Sequence, residues 1–486
     1  MDKKINSQVL KDIYGKSTDV LIRPIHINGP NHLTVHLFCV DGLVNSQQLD
    51  LTILRPLGVE EGPKQCKTED ELADYLLNSA GAYHAFGSLV DDFDQLNTSV
   101  MSGMAAVILD GAKKAVVYDV RTFDKRSVSE PSDENVMKGS KESFVEVLRT
   151  NTSLIRRRIR SPHLTIEQMY VGRLSQTDIA LVYLNNVCDM KLVEELRSRL
   201  QKIDIDNVCA ASFIEEFIID NHRTLMPQIM YTERPDRACS NLTDGRVALI
   251  VDGIPMIYIV PCQFPMLLQS PEDYSESFIA GSFLRILRYA TMLISLLLPA
   301  FYIAVTTFHN QLLPIEMLLS IQEAKAKVPF ASWAEVLILL FSFEILIEAG
   351  LRLPKNIGSA MSIVGGLVVG QAAVSANIIS PVVVIIVALT GIAGFTVPNQ
   401  DLAIAIRISR FILGILAAMA GFFGLIIGFL FIIVHLCSLD SFGVAYLAPF
   451  VDSKDKMLED TLLRYPVKNF KFRPDGIAPQ NKRKQK

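Results

Sequence analysis

The chain has 486 residues, half of them hydrophobic, with 47 basic against 51 acidic side chains. So even a balance offers no basic surface of the kind that nucleic-acid binding requires. Its seven cysteines (Cys39, Cys66, Cys188, Cys209, Cys239, Cys262, Cys437) are scattered, odd in number and never in a Cys-x-x-Cys pair. That pattern excludes a disulfide framework and a thiolate zinc site and suits a reducing cytosol.

The N-terminus, Met1-Asp2-Lys3-Lys4-Ile5-Asn6, is polar with no apolar core behind it, so no cleavable signal is expected. Residues 1–35 read as a flexible lead-in. His26, His32 and His36 lie close together there, but no carboxylate stands at metal spacing, and no metal or other cofactor is expected. Two cytosolic α+β subdomains follow, over 36–145 and 155–275. Each contains an apolar run, an Asp-Gly turn and a second apolar run: Ala106–Leu109, Asp110-Gly111, Ala115–Tyr118, and later Ala248–Val251, Asp252-Gly253, Ile257–Val260. These are hairpin signatures, and together they form a weak internal echo. Ile179–Leu184 reads as a buried strand, and Lys191–Ile203 as a helix with Leu192, Val193, Leu196 and Leu200 on one face. Arg156-Arg157-Arg158-Ile159-Arg160 reads as the C-terminal cations of a helix on a solvated face. Contact with lipid headgroups or a neighbouring subunit is the alternative.

Charge then nearly vanishes. A helical transmembrane domain is expected over 281–438, and a basic cytosolic tail over 439–486. Tyr289–Phe308 is a clean span, and Phe411–Leu436 is long enough to cross with tilt. Between Asn356 and Gln400 there is no ionisable side chain, and Ala376-Asn377 and Ser380-Pro381 break that stretch into two segments of about 20 residues, each enough for one crossing. Basic residues at both ends of the domain call for an even number of crossings. Five apolar segments are visible, so Ser332–Ala349, with Glu335, Glu344 and Glu348, is assigned to the interface. That choice leaves Arg352, Lys355, Arg407 and Arg410 outside.

Within Ile357–Ala376, Gly366 and Gly370 form a small-xxx-small pair, and Gly424 and Gly428 repeat it in the last span. Both favour close helix packing. The opposite side of the first helix carries Val364, Leu367 and Gln371. Around an axis, such side chains would form an apolar ring that closes a pore by dewetting; in a single copy they would face lipid or a neighbouring span. Glu344, Glu348 and Arg352 share a helical face, and the carboxylates would attract cations at a pore mouth or form a Glu348–Arg352 ion pair. There is no Walker loop, no Gly-x-Ser-x-Gly and no His-Glu-x-x-His, and no catalytic role is assigned. Glu233 and Asp236, around an Arg-Pro turn, read as structural.

Pro227-Gln228-Ile229, Thr232-Glu233-Arg234-Pro235-Asp236, Gly245-Arg246-Val247-Ala248, Gln269-Ser270-Pro271-Glu272-Asp273-Tyr274 and Gly350-Leu351-Arg352-Leu353-Pro354 occur in that order. Val364-Gly365-Gly366-Leu367-Val368-Val369-Gly370-Gln371-Ala372-Ala373 and Phe395-Thr396-Val397-Pro398 follow. With this series the chain resembles the A subunits of GerA-type spore germinant receptors, from about residue 140 to 450, the first hundred residues matching less clearly. The resemblance implies a multi-pass subunit of the spore inner membrane with a cytoplasmic N-terminal region and tail. Its implied partners are a transporter-like B subunit and a lipoprotein C subunit. It also implies self-association as a ring, a pentamer, around a pore that releases monovalent cations when nutrient binds. A relative in the same family, stage V sporulation protein AF, is implied to amplify ion release. Two other classes compete: a secondary transporter, which would favour an inverted repeat in the membrane part, and a scaffold without a pore.

Overall fold

The Asp110-Gly111 and Asp252-Gly253 turns each join two adjacent antiparallel strands, and each pair occupies the same place in its own five-stranded sheet. The first sheet contains β1 (Val20–His26), β2 (Thr34–Val40), β3 (Gly87–Val90), β4 (Ala105–Leu109) and β5 (Lys114–Tyr118), in the order β1-β2-β4-β5-β3. The second contains β6 (Leu164–Val171), β7 (Thr177–Leu184), β8 (Met230–Thr232), β9 (Val247–Val251) and β10 (Ile257–Val260), in the order β6-β7-β9-β10-β8. All pairings are antiparallel. The internal echo is thus a repeated topology. In the second turn Gly253 takes φ +82°, a conformation cheap only without a Cβ.

This computed structural model describes residues 5–78, 87–121, 131, 134, 136–352, 370–451, 460–474, 477 and 480–485. It forms two units. One comprises Met1–Asp220, Ile229–Pro261 and Phe470–Lys486, the other Asn221–Gln228 and Cys262–Asn469. Residues from Cys262 fall in the helical unit, and the segment from Phe470 falls in the sheet-containing unit. Arg473 Nε donates to the Thr243 carbonyl (2.7 Å) and Lys484 pairs with Asp244 (2.5 Å), so the basic tail finds acceptors in the second sheet's domain.

The first sheet is buried on both faces, which explains why β4 reads as a continuous apolar run. Val107 and Leu109 join Val35, Leu37 and Leu72 on one side; Ala106 and Ile108 join Phe38, Leu96 and Val100 on the other. The lead-in does not stay loose. Asn6 caps α1 (Ser7–Tyr14) through Gln8 N, and Ile5, Leu10 and Tyr14 enter the second of these cores. Val9, Leu10, Ile13 and Tyr14 share a face at helical spacing, a signal only two turns long. Ser7 Oγ donates to Asp110 Oδ2 (2.6 Å), fixing α1 on the hairpin. His36 Nδ1 lies 3.1 Å from Asp110 Oδ2, and His26 Nδ1 is 3.1 Å from Thr34 Oγ1. Among the described residues no three metal-ligating side chains gather.

Among the helices that pack on the sheets are α2 (Phe93–Met101), α3 (Leu148–Arg158), α4 (Met190–Gln201) and α5 (Pro235–Thr243). In α4 the buried side chains are Leu192, Val193, Leu196 and Leu200. The arginines closing α3 divide in role, against the expectation of a solvated face. Arg156 is fully buried, donates from Nε and Nη2 to Asp19 (2.9 and 2.8 Å), and from Nη1 to the Leu164 carbonyl (2.9 Å). Asp19 precedes β1 and Leu164 opens β6, so one guanidinium ties the two sheets together. Arg157 and Arg158 both grip Glu142. Burial alone would raise that carboxyl, but the two hydrogen-bonded arginines outweigh it and hold it below the usual carboxylate range. Burial pushes the Cys39, Cys188 and Cys239 thiols up to about 12, which keeps them inert.

The helical unit contains α6 (Phe278–Thr307), α7 (Ile315–Lys325), α8 (Ser332–Arg352), α9 (Pro381–Gly394) and α10 (Gln400–Cys437). Of these, α6 and α10 pass the length and apolarity requirements for crossing a membrane. The unit is inverted relative to a water-soluble bundle. Arg285, Ser295, Glu335, Thr390 and Arg410 are buried, while Phe283, Ile392, Phe395, Phe423 and Phe431 are exposed. Lipid is the solvent that such a distribution fits.

Arg156→Ala should strand Asp19 in the interior and cost about 3–5 kcal/mol, read as a lowered melting temperature of the detergent-solubilised chain. Replacing Arg156 and Asp19 together by leucine should recover part of the loss.

Candidate functional site

Where the chain enters α6, the Gln269–Tyr274 motif folds into a short turn (helical over Glu272–Ser275) that buries Asp273 completely. Arg285 and Arg288 lie three residues apart on α6 and so share a face. Asp273 Oδ2 accepts from Arg285 Nε and Arg288 Nη1, and Oδ1 from Arg288 Nη2, each at 3.1 Å. Arg288 Nη1 also donates to the Leu268 carbonyl (2.7 Å). Arg285 Nη1 reaches both the carbonyl and Oδ1 of Asp460 at 2.7 Å, and Tyr274 donates its hydroxyl to Asp460 Oδ2 (2.6 Å). Arg464 closes the collar by donating from Nη1 to the Glu276 carbonyl (2.6 Å). Two cations and two carboxylates thus neutralise one another at the foot of the first span. Sequence reasoning missed Asp273 and Asp460 as partners, although Asp273 stands inside a quoted motif; the pairings span 12 to 175 residues and have no local periodicity.

Deeper in the unit, Glu344 of α8 is held by Arg407 (3.1 Å) and by Arg410 of α10. Glu348 lies one turn on, exposed and paired with Arg352 (2.6 Å). The structure therefore brings Glu344 to two cations and Glu348 to its own helical neighbour. Glu335, fully buried, accepts from the Ser380 backbone N–H (2.9 Å) at the start of α9. That helix needs such an acceptor, because its first N–H groups have no partners within the helix.

The small residues act at close range. A Cβ on Gly391 would fall 2.5 Å from the Phe343 ring, one on Gly424 2.1 Å from the Leu416 carbonyl oxygen, and one on Gly428 2.7 Å from Leu413 and Leu416. At Gly370 the nearest atom would be Val384 Cγ1 at an ordinary 3.8 Å. Gln371 is exposed on the helical turns before Asn377. Val364, Leu367 and Gly366 lie outside the described residues.

Residues 8–476 match the family described as Bacillus/Clostridium GerA spore germination protein. The chain belongs to the GerA spore germination protein family. The match extends beyond residues 140–450 and takes in the first hundred residues as well. Spore germination protein KA of Bacillus subtilis is 40% identical over 471 residues, covering 97% of this chain and 86% of that protein. Spore germination protein B1 of the same organism is 37% identical over 486 residues, covering 100% and 99%. Stage V sporulation protein AF, also from B. subtilis, is 32% identical over 473 residues, covering 97% and 94%. Among solved structures, the N-terminal domain of the A subunit of the Bacillus megaterium spore germinant receptor GerK3 aligns at 28% identity and a TM-score of 0.42, covering 54% of this chain and 98% of that one. This GerA-family chain is a membrane protein with two antiparallel sheets ahead of its apolar helices.

Asp273→Ala should leave Arg288 without a counter-ion and Arg285 with Asp460 alone in a closed environment, a loss of about 3–5 kcal/mol. The full chain should then accumulate poorly in membranes, read by immunoblot, and the survivors should melt at lower temperature. Asp273→Glu should recover part of both.

Proposed function

We propose that this chain is the A subunit of a nutrient-responsive germinant receptor and that its copies assemble as a ring, a pentamer, whose opening releases monovalent cations across the spore inner membrane. The proposed partners are a transporter-like B subunit, which takes the nutrient, and a lipoprotein C subunit. The sheets and the tail from Phe470 lie on the cytoplasmic side in this reading. The observation that carries it is the family match over nearly the whole chain, joined to a charge-free sequence from Ile357 to Asn399. A path without ionisable side chains binds ions weakly and closes by dewetting where Val364 and Leu367 narrow it. Gln371, exposed in the single chain, remains available to a neighbouring copy or to ions. Glu344 is engaged by two arginines inside the unit, so cation attraction falls to Glu348, which is exposed although paired with Arg352.

Leu367→Ala should widen and wet the closed constriction and produce cation leak without nutrient, measured as spontaneous potassium efflux from spores carrying the variant. Wild-type basal efflux from a normally abundant variant would refute the gate. Glu348→Gln should lower cation preference at unchanged abundance. Glu344→Gln should instead reduce abundance, because Arg407 and Arg410 lose their shared partner.

A further inference from the structure

A straight helix from Gln400 to Cys437, 38 residues, would extend about 57 Å, nearly twice a hydrocarbon core of about 30 Å. It does not run straight. Gly421 takes φ +60° and ψ −136°, conformational space that is essentially reserved for glycine. The neighbours of the glycines after it reveal a reversal. Gly424 sits against Leu416, and Gly428 against both Leu416 and Leu413. In an unbroken helix, positions eight and fifteen apart are separated by about 12 and 22 Å along the axis. Contacts 416–424 and 413–428 are nested about residue 420, as the two arms of a hairpin require. Gly414, Ala417, Gly421, Gly424 and Gly428 are all buried, so small side chains let the arms meet.

Contacts with α6 set the depth of each arm. Thr291 is hydrogen-bonded to Thr396 (2.6 Å), Ile303 lies beside Gly414, and Phe308 and His309 lie beside Gly421. The first arm therefore climbs alongside α6, and its vertex stands at the far end of that helix. The Phe422 ring, just past the vertex, is 5.4 Å from Phe301 and 4.9 Å from His309. The second arm then descends. At its foot His435 meets Thr224 (2.8 Å), and Ser441 binds Cys262 N (3.1 Å) and the Gln228 carbonyl (3.0 Å), on the segment leading into the Arg288 collar. The helix α8 descends as well: Glu335 adjoins Ser380, Leu337 adjoins Gly414, and Glu344 adjoins Arg407 and Arg410.

We propose that residues 400–437 cross the membrane twice, turning at Gly421, and that α8 is a crossing helix. Gln400, Arg352 and Cys437 then share the face at which α6 begins, while Leu312, Ala376 and Gly421 lie at the opposite face. Ser332–Ala349 leaves the interface, and the even number of crossings is kept by splitting the last segment. Arg352 joins Arg285 and Arg288 toward one face, as the positive-inside bias demands, while Arg407 and Arg410 enter the first arm neutralised by Glu344. This arrangement is independent of the pore reading.

The test is impermeant maleimide labelling of the full-length chain in intact cells and in inverted membrane vesicles. The native exposed thiols, Cys209 and Cys437, provide the reference side. Gln400→Cys should add label only in the preparation that labels the native chain, and Leu312→Cys and Ala376→Cys only in the other. Gln400→Cys labelling together with Leu312→Cys, with Ala376→Cys on the native side, would overturn the proposal. Separately, the pair Leu416→Cys and Gly428→Cys should form an intrachain disulfide with a mild oxidant, detected by mass spectrometry of a non-reduced digest. Those positions are about 18 Å apart in a straight helix, so two free thiols in a normally accumulating variant would also overturn it.

Discussion

Arginine in or near hydrocarbon is tolerated only when its charge is answered within the protein, and this constraint organises the helical unit. Arg285 and Arg288 begin the first span with Asp273 between them, while Asp460 returns from much later in the chain to satisfy Arg285 again. The collar consequently joins the start of the membrane region to the segment that leaves it. Glu344 does the same for Arg407 and Arg410, linking α8 to α10. Pairs of this kind add little net stability over an apolar alternative, but they are costly to break. They select one arrangement of helices whose greasy surfaces would otherwise pack in many ways.

The same logic appears in the sheet-containing unit in a different solvent. Two sheets of identical strand order are joined through Arg156, which reads Asp19 on one side and Leu164 on the other. The neighbouring Arg157 and Arg158 engage Glu142, so three consecutive arginines serve two distinct contacts. Similar residues in a run need not share a role. Helical geometry turns each by about 100°, and here only the first points inward.

Local features were legible before the structure. The Asp-Gly hairpins and the buried face of α4 follow from periodicity and turn chemistry, which act over a few residues. The short α1 escaped because two helical turns give too little pattern to stand out from a polar N-terminus. Ion partners escaped for another reason: Glu344 lies 63 residues from Arg407, and Arg285 175 from Asp460, distances over which no repeat or spacing carries information. Gly421 was hidden by its company, since one glycine among many in an apolar run gives no sign that it alone turns the backbone.

Ser17 and Thr18 have a bearing on how copies of the chain can meet. Ser17 Oγ accepts from Ile166 N (3.2 Å), and Thr18 N donates to the Ile166 carbonyl (2.9 Å), laying the chain ahead of β1 along β6. An uncovered border strand is adhesive, offering its backbone to any extended segment that passes. Here Ser17 and Thr18 occupy the first part of that border, at Leu164 and Ile166. Strand addition by a neighbour is thereby blocked at those residues, and association there must recognise side-chain surfaces.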